Sequence, residues 1–143
     1  MDLFDRQVIG CSLNTNLHTN QTIIPAWKMA IRKRKINMDL LFHWDRGIQY
    51  ASKAFKTFIK SIPLVTQSII RKDNCWDNSV AESFFKTLKV ALIYDDDFKT
   101  IQAKTAIFEY IEIWYNRKRL YSFLGYKTPY ELELEFYQFN NVA

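Results

Sequence analysis

The sequence predicts an α/β fold. Apolar runs of strand length alternate with segments of helical periodicity, in the order strand, helix, strand, helix, strand, helix, helix. Of the residues, 48% are hydrophobic and 16% aromatic, enough to build a buried core. Gly and Pro number three each, which excludes collagen-like and linker-like chains. At 143 residues the chain has the length of one domain, against a usual ~100–200.

Each element has a local reason. Met1–Leu13 is expected to be strand material, with Leu3, Phe4, Val8, Ile9 and Cys11 around a polar Asp5-Arg6-Gln7 turn. Thr22–Lys35 is expected to be a helix. Ile23, Trp27, Ala30 and Ile31 recur at helical spacing, Pro25 falls in the first turn, and Thr22 is placed to cap. Its basic end, Arg32-Lys33-Arg34-Lys35, suits the negative pole of the helix dipole. Asp39–Phe42 reads as a short strand ending at His43-Trp44-Asp45. Ser52 is expected to cap a helix with Ala54, Phe55, Phe58 and Ile59 on one face, and Leu64–Ile69 reads as another strand.

Asp73–Asn78 is polar and loop-like, and Asp77 or Asn78 can cap the next helix. Val80, Phe84, Leu88 and Leu92 form its apolar stripe. Lys99–Arg119 is the longest helical segment, with Ala103, Ile107, Tyr110 and Trp114 expected inward. Thr128-Pro129-Tyr130-Glu131 forms a capping box with Pro at the first helical position, so a last helix should run to about Tyr137.

Composition narrows the function. No apolar run approaches the ~20 residues of a membrane span, and the N-terminus has no secretory signal pattern. Two cysteines, Cys11 and Cys75, argue against a disulfide scaffold or a Cys-based zinc site, and the cytosol is the expected compartment. The net charge is +5, from 20 Lys/Arg against 15 Asp/Glu. No base follows Lys127, so residues 1–127 carry +8. That surplus suits a polyanion such as nucleic acid, although ordinary soluble proteins also carry it.

Two carboxylates are placed for chemistry. Asp45 follows a short strand, where α/β sheets present ligand-binding groups. Glu82 lies at the start of the next capped helix, and Lys86 and Lys89 share its polar face. Carboxylates at a sheet edge can hold a hard divalent cation, and the lysines can grip phosphates. Each residue also has a plainer role: Glu82 and Lys86 are spaced for a surface ion pair, and Asp45 precedes a glycine as turn residues do. His18 and His43 lack metal-ligand spacing. Asp95-Asp96-Asp97 reads as a solvated run, and Lys33-Arg34-Lys35 as a charged helix end.

The stretch His43-Trp44-Asp45-Arg46-Gly47-Ile48-Gln49-Tyr50 resembles a motif of bacterial insertion-sequence transposases. These belong to the DDE, retroviral-integrase-like superfamily, in the branch made from two overlapping reading frames. Arg71–Phe85, with Asn74-Cys75-Trp76-Asp77-Asn78 and Ala81-Glu82-Ser83, resembles that family's loop and helix around its last acidic residue. Trp114–Leu120, Leu124–Pro129 and Asp2–Gly10 resemble further segments in order. The resemblance implies an RNase H-like fold and a two-metal site, with Mg2+ or Mn2+ held by three acids. Asp45 matches the second acid and Glu82 the third. Lys86 and Lys89 match positions that contact element-end DNA in related integrases, and Arg46, beside Asp45, is expected to join them.

The chain also departs from the family. The strand carrying the family's first acid lies upstream of the Asp2–Arg6 segment. The first strand and part of the second are therefore expected to be missing, as is the N-terminal helix-turn-helix region. Asp2 and Asp5 match non-catalytic positions. Between Asp45 and Glu82 lie 36 residues, one more than is usual, with the extra residue expected in Ser61–Val65. Trp44 and Ile48 replace small serines, with Trp44 expected to crowd the acid, and Tyr121 stands where the family tends to have His.

Residues 1–127 are thus expected to form an incomplete catalytic core, with 128–143 as a capped helix of the same domain. The implied function is that of a metal-dependent recombinase that cuts and joins DNA strands, nearly inactive on its own for want of one acid. The alternative is a non-catalytic module that binds DNA, or that pairs with its own copies or with full-length transposase subunits and inhibits them. A decayed remnant with no role is the third. No membrane partner is expected.

Overall fold

The computed structural model describes residues 1–16, 18–45, 47–69, 78–92 and 100–140. Its elements are α1 (Ile23–Lys33), β1 (Leu40–Trp44), α2 (Ile48–Ala51), α3 (Lys53–Lys60), β2 (Val65–Ile69), α4 (Ser79–Leu92), α5 (Thr100–Glu109) and α6 (Pro129–Asn140). A π-helical turn, Tyr110–Tyr115, continues α5, and a 3-10 turn covers Ser122–Leu124. Among the described residues no helix is long and apolar enough to cross a membrane. The chain forms two compact units: Ile9–Ala81, and Met1–Val8 together with Glu82–Ala143.

In the Ile9–Ala81 unit, β1 and β2 form a parallel pair in the register Leu40–Val65 to Trp44–Ile69. Parallel neighbours need a crossover, and α2 and α3 provide it. Ser52 caps α3 as expected: its hydroxyl accepts from the Phe55 N–H at 3.2 Å. That cap fixes the helix phase, so Phe55 and Ile59 point into the core and are fully buried. Phe42 on β1 gathers Trp27 of α1, Tyr50 of α2 and Phe55 of α3, with ring centroids 4.7, 5.9 and 5.8 Å away. The contacts with Trp27 and Phe55 are edge-to-face, a geometry that adds to plain area burial. In the turn before β2, Leu64 takes a left-handed φ of 66°.

Thr22 does not cap α1 with its side chain; its hydroxyl instead donates to the His18 carbonyl at 2.9 Å. Gly10 lies against α1 closely enough that a Cβ there would meet the Ala26 carbonyl oxygen at 2.2 Å.

In the other unit the N-terminal segment departs from the expected strand. Met1–Leu13 has no strand; Leu3–Asp5 form a turn. The side chains of Asp2 and Asp5 accept from the N–H groups of Phe4 and Gln7, both at 2.9 Å. Such Asx turns occupy N–H groups that a ladder needs. Val8 then pairs with the side-chain amide of Asn116 rather than with a strand, accepting at 3.1 Å and donating at 3.0 Å.

Phe84 and Leu88 of α4 are buried as the stripe requires, and Phe84 packs on Tyr115 at 4.8 Å. The long helix departs from its expected face. After Glu109 the backbone closes i→i+5 bonds, with the Asn116 N–H donating to the Ile111 carbonyl at 3.0 Å. The wider turn advances the buried face by one residue, so Tyr115 is 2% exposed and Trp114 42%. The Thr128 capping box forms as expected. The Thr128 hydroxyl accepts from the Glu131 N–H at 3.2 Å, and the Glu131 carboxylate accepts from the Thr128 N–H at 2.8 Å.

Candidate nucleic-acid and metal-binding residues

Asp45 lies just beyond the C-terminal end of β1, in the Ile9–Ala81 unit. Its neighbours account for its placement. Strand alternation turns Trp44 into the core, where it packs on Tyr50 at 5.4 Å, and leaves Asp45 exposed. Trp44 is 8% exposed, so its bulk serves the core. The Gly47 N–H donates to Asp45 Oδ1 at 2.9 Å, which closes an Asx turn and orients the carboxylate. A Cβ on Gly47 would lie 2.8 Å from that same oxygen, so the small residue gives the acid its space. Burial pushes the Tyr50 hydroxyl pKa up, and the Asp45 charge pushes it further. On β1 the His43 ring nitrogen Nδ1 lies 3.2 Å from the Ser68 hydroxyl of β2, a structural tie between the paired strands.

Glu82 lies in the first turn of α4, in the other unit. It is exposed and makes no ion pair or hydrogen bond among the described residues. The surface pair Glu82–Lys86 that the spacing allows does not form. Lys86 and Lys89 are exposed on the same helix. Arg46 lies outside the described residues, as do Asp73–Asp77 and Asp95–Asp97. Among the described residues no cluster of three His, Cys, Asp or Glu side chains is placed to hold a metal ion. Asp45 and Glu82 each offer hard oxygen donors, the chemistry that Mg2+ and Mn2+ prefer.

Gln7 and Asn116 escaped sequence reasoning because their side-chain partners are far along the chain. Asp5, Gln7 and Asn116 are buried. Gln7 donates to the Glu133 carboxylate at 2.8 Å. Tyr121, at the position where His was expected, belongs to an aromatic cage: the Arg119 guanidinium lies 4.9 Å from its ring centre and 5.7 Å from that of Tyr115. Burial and the hydrogen bond to Tyr121 push the Tyr115 hydroxyl pKa strongly up.

The charge divides unevenly. The Ile9–Ala81 unit holds 11 Lys/Arg against 4 Asp/Glu, or +7, and the other unit 9 against 11, or −2. The basic surplus therefore belongs to the unit that carries Asp45.

A parallel strand pair with helical crossover and an exposed acid just beyond its carboxyl end is an α/β arrangement compatible with an integrase core. The comparisons agree. Integrase core domain family models match residues 1–75 and 82–135. The chain belongs to the integrase core domain family. It is 36% identical over 134 residues to the transposase for insertion sequence element IS904 of Lactococcus lactis, covering 93% of this chain and 52% of that protein. It is 37% identical to the transposase InsF for insertion sequence IS3A of Escherichia coli, covering 93% of this chain and 46% of the relative. The chain thus spans about half the length of these curated relatives. The catalytic core domain of BIV integrase superposes with a TM-score of 0.58 at 23% identity, covering 87% of this chain and 76% of that one. That likeness shows the RNase H-like fold.

Proposed function

We propose that the chain is part of a DNA-cutting and DNA-joining transposase, in which Asp45 and Glu82 are two of the carboxylates that hold Mg2+ or Mn2+. The observation that carries this reading is Asp45 itself: an exposed carboxylate at the end of a parallel strand, oriented by the Gly47 N–H. The lone Glu82 carboxylate on a helix with two exposed lysines supports it. Divalent ions bound by such acids supply an activated water or DNA 3′-OH and neutralise charge at the phosphodiester. The protein's part is to fix the acids and to hold the DNA backbone, for which Lys86, Lys89 and Arg46 are the assigned contacts. Residues 1–127 serve as the core and 128–143 as its capped closing helix.

These 143 residues supply two of the family's three acids, so by themselves they bind DNA without joining strands. Incubation with labelled duplex and Mg2+ or Mn2+ is expected to give no joined product. Robust joining that is lost on Asp45→Ala would overturn the expected inactivity of these 143 residues on their own. Duplex binding is expected to weaken with salt, and Lys86→Ala and Lys89→Ala should weaken it for every sequence. Binding indifferent to salt would overturn the DNA assignment.

The exposed lysines of α4 also favour a second reading, a non-catalytic module that occupies element DNA or pairs with longer transposase subunits. Added to an active relative, such a chain lowers joining in proportion to its concentration. The Lys86→Ala/Lys89→Ala variant should lower it less.

A further inference from the structure

We infer that α3 carries a phosphate-binding face of its own, fitted to the backbone of duplex DNA and formed by Lys53, Lys56 and Lys60. The inference rests on the proposed DNA function and adds a binding surface on a different helix from Lys86 and Lys89.

The three lysines are exposed and lie together with Ala51 and Thr57 on one open stretch of surface. Their spacing of three and four residues puts them on one helix face. Phe55 and Ile59, the buried anchors of α3, hold the opposite face in the core. The lysine row is therefore fixed in direction. Seven residues at 1.5 Å rise give it a length of about 10 Å. One strand of a duplex presents a phosphate every ~3.4 Å along the axis, so the row matches about three successive phosphates.

The row has no local explanation. Helix α3 contains no acid, and none of the three lysines forms an ion pair among the described residues. Lys53 is the first helical residue, where the dipole disfavours a cation. Lys53–Lys56 and Lys56–Lys60 are like-charge neighbours on the helix surface, which repel. A face that only needed solvation would mix signs. Local rules broken with no compensation inside the fold are characteristic of functional surfaces. The surrounding unit carries +7, so the field of its own charges deepens the mismatch that a polyanion relieves.

The test is fluorescence anisotropy of the 143-residue chain on a random-sequence duplex between about 50 and about 200 mM salt. Removing one lysine–phosphate pair lowers the slope of log affinity against log salt by about 0.9. The triple variant Lys53→Gln, Lys56→Gln, Lys60→Gln should lower the slope by about 2.7, so that across this range it loses about 40-fold less affinity than the parent. The charge-retaining triple Lys53→Arg, Lys56→Arg, Lys60→Arg should keep the parental slope. Circular dichroism melts verify that both variants fold. If the parent binds with a salt-dependent slope that the Gln variant leaves unchanged, while Lys86→Ala/Lys89→Ala lowers it, the α3 face is refuted and the DNA function stands. If the folded parent shows no salt-dependent binding, the DNA function falls, and the α3 face with it.

Discussion

Val8 and Asn116 are joined by two reciprocal hydrogen bonds: the Val8 N–H donates to Asn116 Oδ1 at 3.0 Å, and Asn116 Nδ2 donates to the Val8 carbonyl at 3.1 Å. A side-chain amide thus does for Val8 what a neighbouring strand would do. The Asn116 backbone is committed as well. Its N–H closes the π turn at Ile111, and its carbonyl accepts from the Tyr130 N–H at the start of α6. One residue therefore links three segments, the farthest of them 108 positions from it along the chain.

Removing the amide strands both backbone groups of Val8 in the core. Asn116→Ala should destabilise the chain by about 2–4 kcal/mol, since each buried orphan costs ~1–3 kcal/mol. Asn116→Asp should behave differently with pH. Its carboxylate can accept from the Val8 N–H but faces the Val8 carbonyl with no proton to donate. Protonation restores the donor. Denaturant midpoints should show the Asp variant recovering stability on acidification and the Ala variant unable to do so.

Gly10 is the second backbone approach that only the folded chain reveals. A Cβ would sit 2.2 Å from the Ala26 carbonyl oxygen and 3.0 Å from the Ala30 N of α1, and both are main-chain atoms. Main chain inside a helix cannot step aside, so Gly10→Ala should cost about 1–3 kcal/mol, as overpacking does. Thermal unfolding of this variant against Gly47→Ala, whose nearest neighbour is the Asp45 side chain, measures the difference. Equal, negligible losses would rule out close packing of Gly10 on α1.

The elements that were legible share one property: their signals are local. Ser52 with Phe55 and Ile59 fixes α3, Thr128 with Glu131 fixes the start of α6, and short apolar runs mark β1 and β2. Residues 1–13 carry apolar content of the same kind, yet their partner is Asn116, far along the chain, and nothing nearby encodes it. Asp45 was legible as an acid at a strand end. Its oriented turn also followed from Gly47, since an acid two residues before a free N–H is a known turn pattern. The α3 lysines were visible as letters. Their meaning depended on knowing that Phe55 and Ile59 hold the other face, and that the surplus charge resides in one unit.

The π turn makes a similar point that can be tested by truncation. A 3.6-residue period placed Tyr110 and Trp114 inward together. The i→i+5 closure moves the inward position to Tyr115, which packs on Phe84 at 4.8 Å and on Tyr121 at 5.8 Å. Tyr115→Ala should therefore cost about 3–5 kcal/mol, the range for a buried aromatic. Trp114→Ala removes a larger side chain, but one that is 42% exposed and stacked on Tyr110 at 5.1 Å. Its removal should cost about 1–2 kcal/mol, for one stacked ring pair and part of a buried face. Chemical denaturation of the pair gives the ranking, and the reverse order would contradict the π geometry.

The capping box gives the stability a pH dependence of known sign. Hydrogen bonds from the Thr128 N–H and hydroxyl to the Glu131 carboxylate, at 2.8 and 2.9 Å, hold its pKa below the ordinary 4.5. The folded chain therefore binds this proton less readily than the unfolded one. The contribution is complete above the unfolded value and is lost as the pH falls through the folded one. Thermal melts from about pH 7 to about pH 3 should show the wild type losing its advantage over Glu131→Gln on the acid side. The Gln variant can still reach the Thr128 N–H but has no charge to lose, so its curve should be flatter there. Parallel curves for the two proteins would mean that the carboxylate makes no charge-dependent contribution to the cap.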